Sequence, residues 1–173
     1  MRATVTRRLL LHGLFLGLAV LFATRVFSLG HLDSHWLPNG DAALMCSTMQ
    51  WVSHALVHDP RHVFTGNTFY PYAHAIVPTD PMVSLAVLNI PVRVFTSNPW
   101  VGYNLLIVAA YYLSCVWGAA LVRRMTGSGA AAVWGGLFWG FLFFRMHHIG
   151  HLQILSFQFM PAAVLAWLRF RER

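Results

Sequence analysis

Four aspartates and six of the ten histidines of this 173-residue chain lie between residues 31 and 99, with long apolar runs on either side. The aspartates are Asp33, Asp41, Asp59 and Asp80, and the histidines are His31, His35, His54, His58, His62 and His74. Carboxylates in a hydrated segment beside a membrane can orient a substrate or hold a divalent metal, so Asp41 and Asp80 are the first candidates for either role. His54, His58 and His62 recur every four residues, the spacing that lines up imidazoles on one helix face for a metal, but Pro60 breaks that register before His62. A second histidine group, His147-His148-Ile149-Gly150-His151, lies between the last two apolar runs.

These groups must be positioned by a mostly apolar chain. Hydrophobic residues make up 57% of it and charged residues only 10%, against about 25% charged in a soluble domain. That composition is that of a membrane protein. The net charge of +7 comes entirely from arginine. The arginines sit at the ends of apolar runs rather than in a surface patch, which indicates membrane topology and not nucleic-acid binding.

The expected fold class is an all-α membrane protein: one membrane domain, about four transmembrane helices and a large first extracytoplasmic loop. The spans are placed at residues 9–30, 100–122, 130–145 and 152–168, each covering most of the roughly 20 residues a bilayer core requires. The loop, residues 31–99, holds helices at about 42–58 and 82–96. The second of these contains Pro91 and is too short to cross, so it is expected to lie in the interface. Arg2, Arg7 and Arg8 precede the first span, Arg123 and Arg124 follow the second, and Arg169, Arg171 and Arg173 follow the fourth. A cytoplasmic N-terminus puts all eight on the cytoplasmic face. The first span has no small-residue cleavage site, so it is expected to be retained. Arg25, near its outer end, either snorkels to the interface or faces a buried phosphate.

Within the loop, Asn39-Gly40 makes a turn and Asp41 caps a helix whose apolar stripe is Leu44, Thr48, Trp51, Val52 and Ala55. Asp59-Pro60 ends it. Asp80 at N-cap and Pro81 at the first helical position start the interfacial helix. Capping and chemistry are both open for Asp41 and Asp80, and one residue can do both. Cys46 and Cys115 lie in different environments, the loop and an apolar run, and read as packing residues rather than a disulfide.

An ordered series of short motifs carries a family resemblance: Asn39-Gly40-Asp41, Asn67-Thr68-Phe69-Tyr70-Pro71, Thr79-Asp80-Pro81, Asn98-Pro99, Tyr103-Asn104-Leu105 and Arg145…His148…His151-Leu152-Gln153. The chain resembles the N-terminal part of bacterial multi-spanning glycosyltransferases of the GT-C type, related to protein mannosyltransferase-like and YfhO-like membrane proteins. The resemblance implies transfer of a sugar from a polyprenyl-phosphate donor to an acceptor on the extracytoplasmic face of the bacterial inner membrane. It implies Asp41 and Asp80 as catalytic carboxylates, Asp41 at the position of the catalytic base or metal partner and Asp80 at a second acidic position, with a divalent metal as an optional cofactor on them. It assigns Arg145, His148, His151 and Gln153 to the donor phosphate, where arginine offers a two-pronged donor to a phosphate leaving group. Such proteins have many more spans, so the resemblance also implies a fragment or a half completed by a further polypeptide. The implied partners are thus the lipid-linked sugar, membrane lipids and that polypeptide. Two other readings stand beside it: a non-catalytic membrane protein of envelope polysaccharide assembly, and a histidine-based metal transporter or sensor.

Overall fold

The computed structural model describes residues 2–26, 33, 40–66, 71–148 and 150–173, and the side chains of 2–4 and 24–26 lie outside the description. The Asn39 turn, the Asn67–Tyr70 motif and the Arg25 side chain therefore fall outside it. Among the described residues eight α-helices follow one another: α1 (Arg2–Val26), α2 (Gly40–His58), α3 (Val83–Phe95), α4 (Pro99–Thr126), α5 (Gly129–Gly140), α6 (Phe143–His147), α7 (Leu152–Leu155) and α8 (Phe159–Arg171). A 3₁₀ turn, Pro60–His62, follows α2. No strand occurs among the described residues. Four segments are long and apolar enough to cross a membrane: Val5–Ala23, Pro99–Thr126, Gly129–His147 and Leu152–Arg171. The helix α3 has 13 residues, rising about 20 Å, and falls short of a core of about 30 Å.

The chain folds into two compact units, one of residues 1–28, 107–149 and 154–173 and the other of residues 29–106 and 150–153. In the first, Phe15 of α1 packs with Cys115 and Ala119 of α4 and Ala132 of α5, flanked by Leu11, Tyr112 and Leu137. The helices α4 and α5 approach closely because Gly136 and Gly140 carry no side chain there. A Cβ on Gly136 would lie 2.7 Å from both the Cys115 carbonyl and the Phe15 ring, and one on Gly140 would overlap the Cys115 sulfur. Small residues four apart are how helices close up in lipid, where dispersion contacts replace the hydrophobic effect.

In the second unit α2 packs on α3. The buried face of α2 is Ala42, Met45, Cys46, Met49, Val52 and Ser53, with Thr48 and Ala55. This corrects the expected stripe: Leu44 and Trp51 are only half-buried, while Met45, Cys46 and Met49 are buried. Ser53 Oγ donates to the Ala86 carbonyl at 3.0 Å and accepts from Asn89 Nδ2 at 3.1 Å, a buried polar link between the helices. The outward face of α3 is apolar, with Val94 77% and Phe95 88% exposed. That face suits contact with lipid.

Candidate functional site

Asp41 occupies the first helical turn of α2, one residue inside a helix that starts at Gly40 rather than capping a helix from Ala42. A carboxylate there complements the helix dipole. It is exposed, and its Oδ2 lies 3.6 Å from Nε2 of His151. The two residues are 110 positions apart, and the fold makes them neighbours because residues 150–153 belong to the same unit as α2. The anchor for that segment is Tyr103, a buried residue of α4 whose hydroxyl donates to the Gly150 carbonyl at 3.1 Å. The Asp41–His151 pair is 58% and 34% exposed, so water screens it and it adds well under about 1 kcal/mol to stability. The pair therefore contributes little to holding the fold together.

Asp80 behaves differently. Its Oδ1 accepts the Met82 amide at 3.2 Å, closing a turn in which Met82 adopts left-handed φ of 46°. Helix α3 begins at Val83 with no side-chain cap, which corrects the expected start at Asp80-Pro81: the turn at Met82 must finish before helical backbone can begin. Asp80 is exposed. Gln153 is half-buried, and among the described residues its Oε1 has no hydrogen-bond partner.

Arg145 and His148 belong to the other unit. His148 Nδ1 sits 2.8 Å from the Phe144 carbonyl, and its ring packs on that phenylalanine. Arg145 is 1% exposed. Its Nη1 donates to the Gly140 carbonyl at 2.7 Å and to that of Trp139 at 3.4 Å, while Nη2 donates to those of Leu155 at 2.6 Å and Ala110 at 3.1 Å. Its carbon centre lies 4.7 Å from the Tyr111 ring, which is stacked on Phe141.

The local backbone explains this geometry. The third and fourth spans, expected to be continuous, are both interrupted. After Gly140, Leu142 turns to φ −53° and ψ 133°, ending α5 and restarting the chain as α6. Helix α7 likewise ends at Leu155 before α8 starts at Phe159. Each break leaves helix-end carbonyls without amide partners, a serious cost away from water. The Arg145 fork satisfies carbonyls at both ends and brings positive charge to two helix C-termini. In this arrangement the guanidinium faces carbonyl oxygens, not an open surface.

His54, His58 and His62 make local contacts. His54 and His58 stack at 4.3 Å, His58 Nδ1 lies 3.0 Å from the His54 carbonyl, and His62 Nδ1 sits 2.7 Å from Asp59 Oδ2. Among the described residues no three His, Cys, Asp or Glu side chains converge as a metal site would require. Cys46, buried in α2, points its sulfur at the Pro99 carbonyl, 3.6 Å away. Burial pushes its thiol up to about 12. Two features escaped the sequence reading, the Tyr103 anchor and the helix breaks.

Fold and site together define a protein that is helical throughout its described residues, with four apolar segments of membrane-crossing length and a partly exposed carboxylate–imidazole pair. No family model, curated protein or solved structure matches the chain.

Proposed function

We infer that this chain is the N-terminal portion of a membrane glycosyltransferase that moves a sugar from a polyprenyl-phosphate donor to an acceptor on the extracytoplasmic side of a bacterial inner membrane. The observation that carries this reading is the Asp41–His151 pair, 3.6 Å apart and open to water. A carboxylate so placed can accept the proton of an acceptor hydroxyl as the sugar bond forms, and the imidazole beside it orients that carboxylate or, protonated, steadies the departing phosphate. Gln153, two residues on, has a buried Oε1 with no hydrogen-bond partner among the described residues. The ordered motifs from Asn39 to Gln153 supply the family context. Asp80 is a second polar contact for substrate or metal at the start of α3. Arg145 enters this reading as the residue that holds two broken helices in place, and not as a hand on the donor.

The arginine distribution supports a cytoplasmic N-terminus, and the 13-residue α3 supports a loop that stays on one side. The second reading, a non-catalytic protein of envelope polysaccharide assembly, is favoured by one observation: the strongest cation of the series is spent internally. The Asp41→Asn variant separates them. In membranes supplied with a radiolabelled polyprenyl-phosphate sugar, the transferase reading expects transfer to fall at least a hundredfold with insertion unchanged. Equal transfer by the variant and the unaltered protein would remove Asp41 from the chemistry and leave the assembly role.

A further inference from the structure

At the amino end of α1 the first unit opens a cavity of about 780 Å³ whose rim holds Arg7, Arg8 and Arg123. A neighbouring cavity of about 610 Å³ shares Arg8 and Arg123 and adds Arg124 and Arg169. All five arginines are exposed. The acidic side chains of the chain number five, four of them in residues 31–99, which leaves Glu172 as the only one in this unit's sequence. Glu172 is paired with Arg124. Among the described residues no ion pair occupies Arg7, Arg8, Arg123 or Arg169. The larger cavity is otherwise lined by apolar residues, among them Leu10, Leu11, Leu14 and Val133.

We propose that this cleft is a binding site for one anionic phospholipid of the surrounding bilayer. The headgroup phosphate sits between Arg8 and Arg123, the two arginines common to both cavities, and an acyl chain lies along Leu11, Leu14 and Val133. The charge pattern matches no other occupant as well. Four uncompensated guanidiniums at the end of membrane-length helices call for an anion at headgroup depth, and the leucine-lined wall calls for hydrocarbon. A soluble phosphate would leave that wall wet, and an acidic peptide would leave the hydrocarbon-facing portion uncovered. The site lies wholly in the first unit, does not involve Asp41 or His151, and stands whether or not the chain transfers sugar.

The test uses the purified chain in neutral detergent, titrated with phosphatidylglycerol or phosphatidylcholine, with bound lipid counted by native mass spectrometry. Phosphatidylglycerol is expected to bind one per chain, at least tenfold tighter than phosphatidylcholine. The pair Arg8→Gln with Arg123→Gln is expected to weaken it about thirtyfold. Arg171→Gln, a residue stacked on Trp167 outside both cavities, should leave it unchanged. Equal affinity for the two lipids, or full retention by the double variant, overturns the proposal, as does saturation by inorganic phosphate without any lipid preference. If the double variant loses helix content by circular dichroism, the unaltered protein decides: lipid binding that does not weaken between about 0.05 and 0.5 M salt overturns an electrostatic headgroup site.

Discussion

Arg145 shows how one side chain can decide local architecture. Removing its guanidinium takes the Arg145 hydrogen bond from the carbonyls of Ala110, Trp139, Gly140 and Leu155, and each buried carbonyl left without a partner costs about 1–3 kcal/mol. Arg145→Met is therefore expected to lower the unfolding midpoint sharply in a denaturant titration in detergent. Arg145→Lys should recover only part of the loss, because a single ammonium cannot fork to two helix ends. A lysine variant as stable as the parent would show that charge alone suffices there. Cys46 gives a second test. Its thiol, pushed up to about 12 by burial from an ordinary 9.0, should resist alkylation at pH 8.5 until the protein is unfolded. Burial disfavours the thiolate, so the folded state holds this proton more tightly than the unfolded one. The contribution is fully present below pH 9, then shrinks as pH rises toward about 12. Replacing Cys46 by serine should remove that part of the alkaline loss of stability, measured by unfolding at pH 8 and pH 10.5.

Among the helices, the contact between α4 and α5 rests on absent side chains. Gly140→Ala places a methyl against the Cys115 sulfur, and overpacking of this sort costs about 1–3 kcal/mol. Shrinking the partner with Cys115→Ala should return most of the loss, so the double variant should be more stable than Gly140→Ala alone in the same denaturant assay. Strict additivity would show that the two residues do not share the contact. The four membrane-length segments and the α2 and α3 helices were legible in the sequence because apolar run length and turn residues announce them. The interruptions in the third and fourth segments were not. No proline marks the α5–α6 break, and Phe141-Leu142-Phe143-Phe144 reads as uninterrupted hydrocarbon. The break is paid for by Arg145, several residues on and through contacts with three other helices. Periodicity could not show that Asp41 and His151 would be neighbours either. Their proximity depends on the Tyr103 hydroxyl catching Gly150, a long-range bond that no local pattern encodes.

For the whole chain, the arginines make a statement about sidedness that can be tested apart from any chemistry. Arg7 and Arg8 stand near the start of α1, Arg123 and Arg124 end α4, and Arg169 and Arg171 end α8. An odd number of crossings between any two of these groups would put one of them on the translocated side, against the usual bias. Four crossings with α3 held at the surface avoid that. Five crossings would not, and α3 is disfavoured as the fifth on three grounds: its rise of about 20 Å, Pro91 inside it, and an Arg93 side chain that reaches back to Gln50 of α2 at 2.5 Å. Single substitutions at exposed positions read the result. His74→Cys should react with a membrane-impermeant maleimide on intact cells, whereas Met125→Cys should react only after the inner membrane is opened. Met125 is 71% exposed at the end of α4, so failure to label it from outside would reflect sidedness rather than burial. Labelling of Met125→Cys in intact cells would turn α3 into a crossing helix and put Asp41 and the α4 arginines on the same face. That outcome would also end the transferase reading, because the first loop and the last apolar segments could no longer present Asp41 and His151 to one aqueous surface.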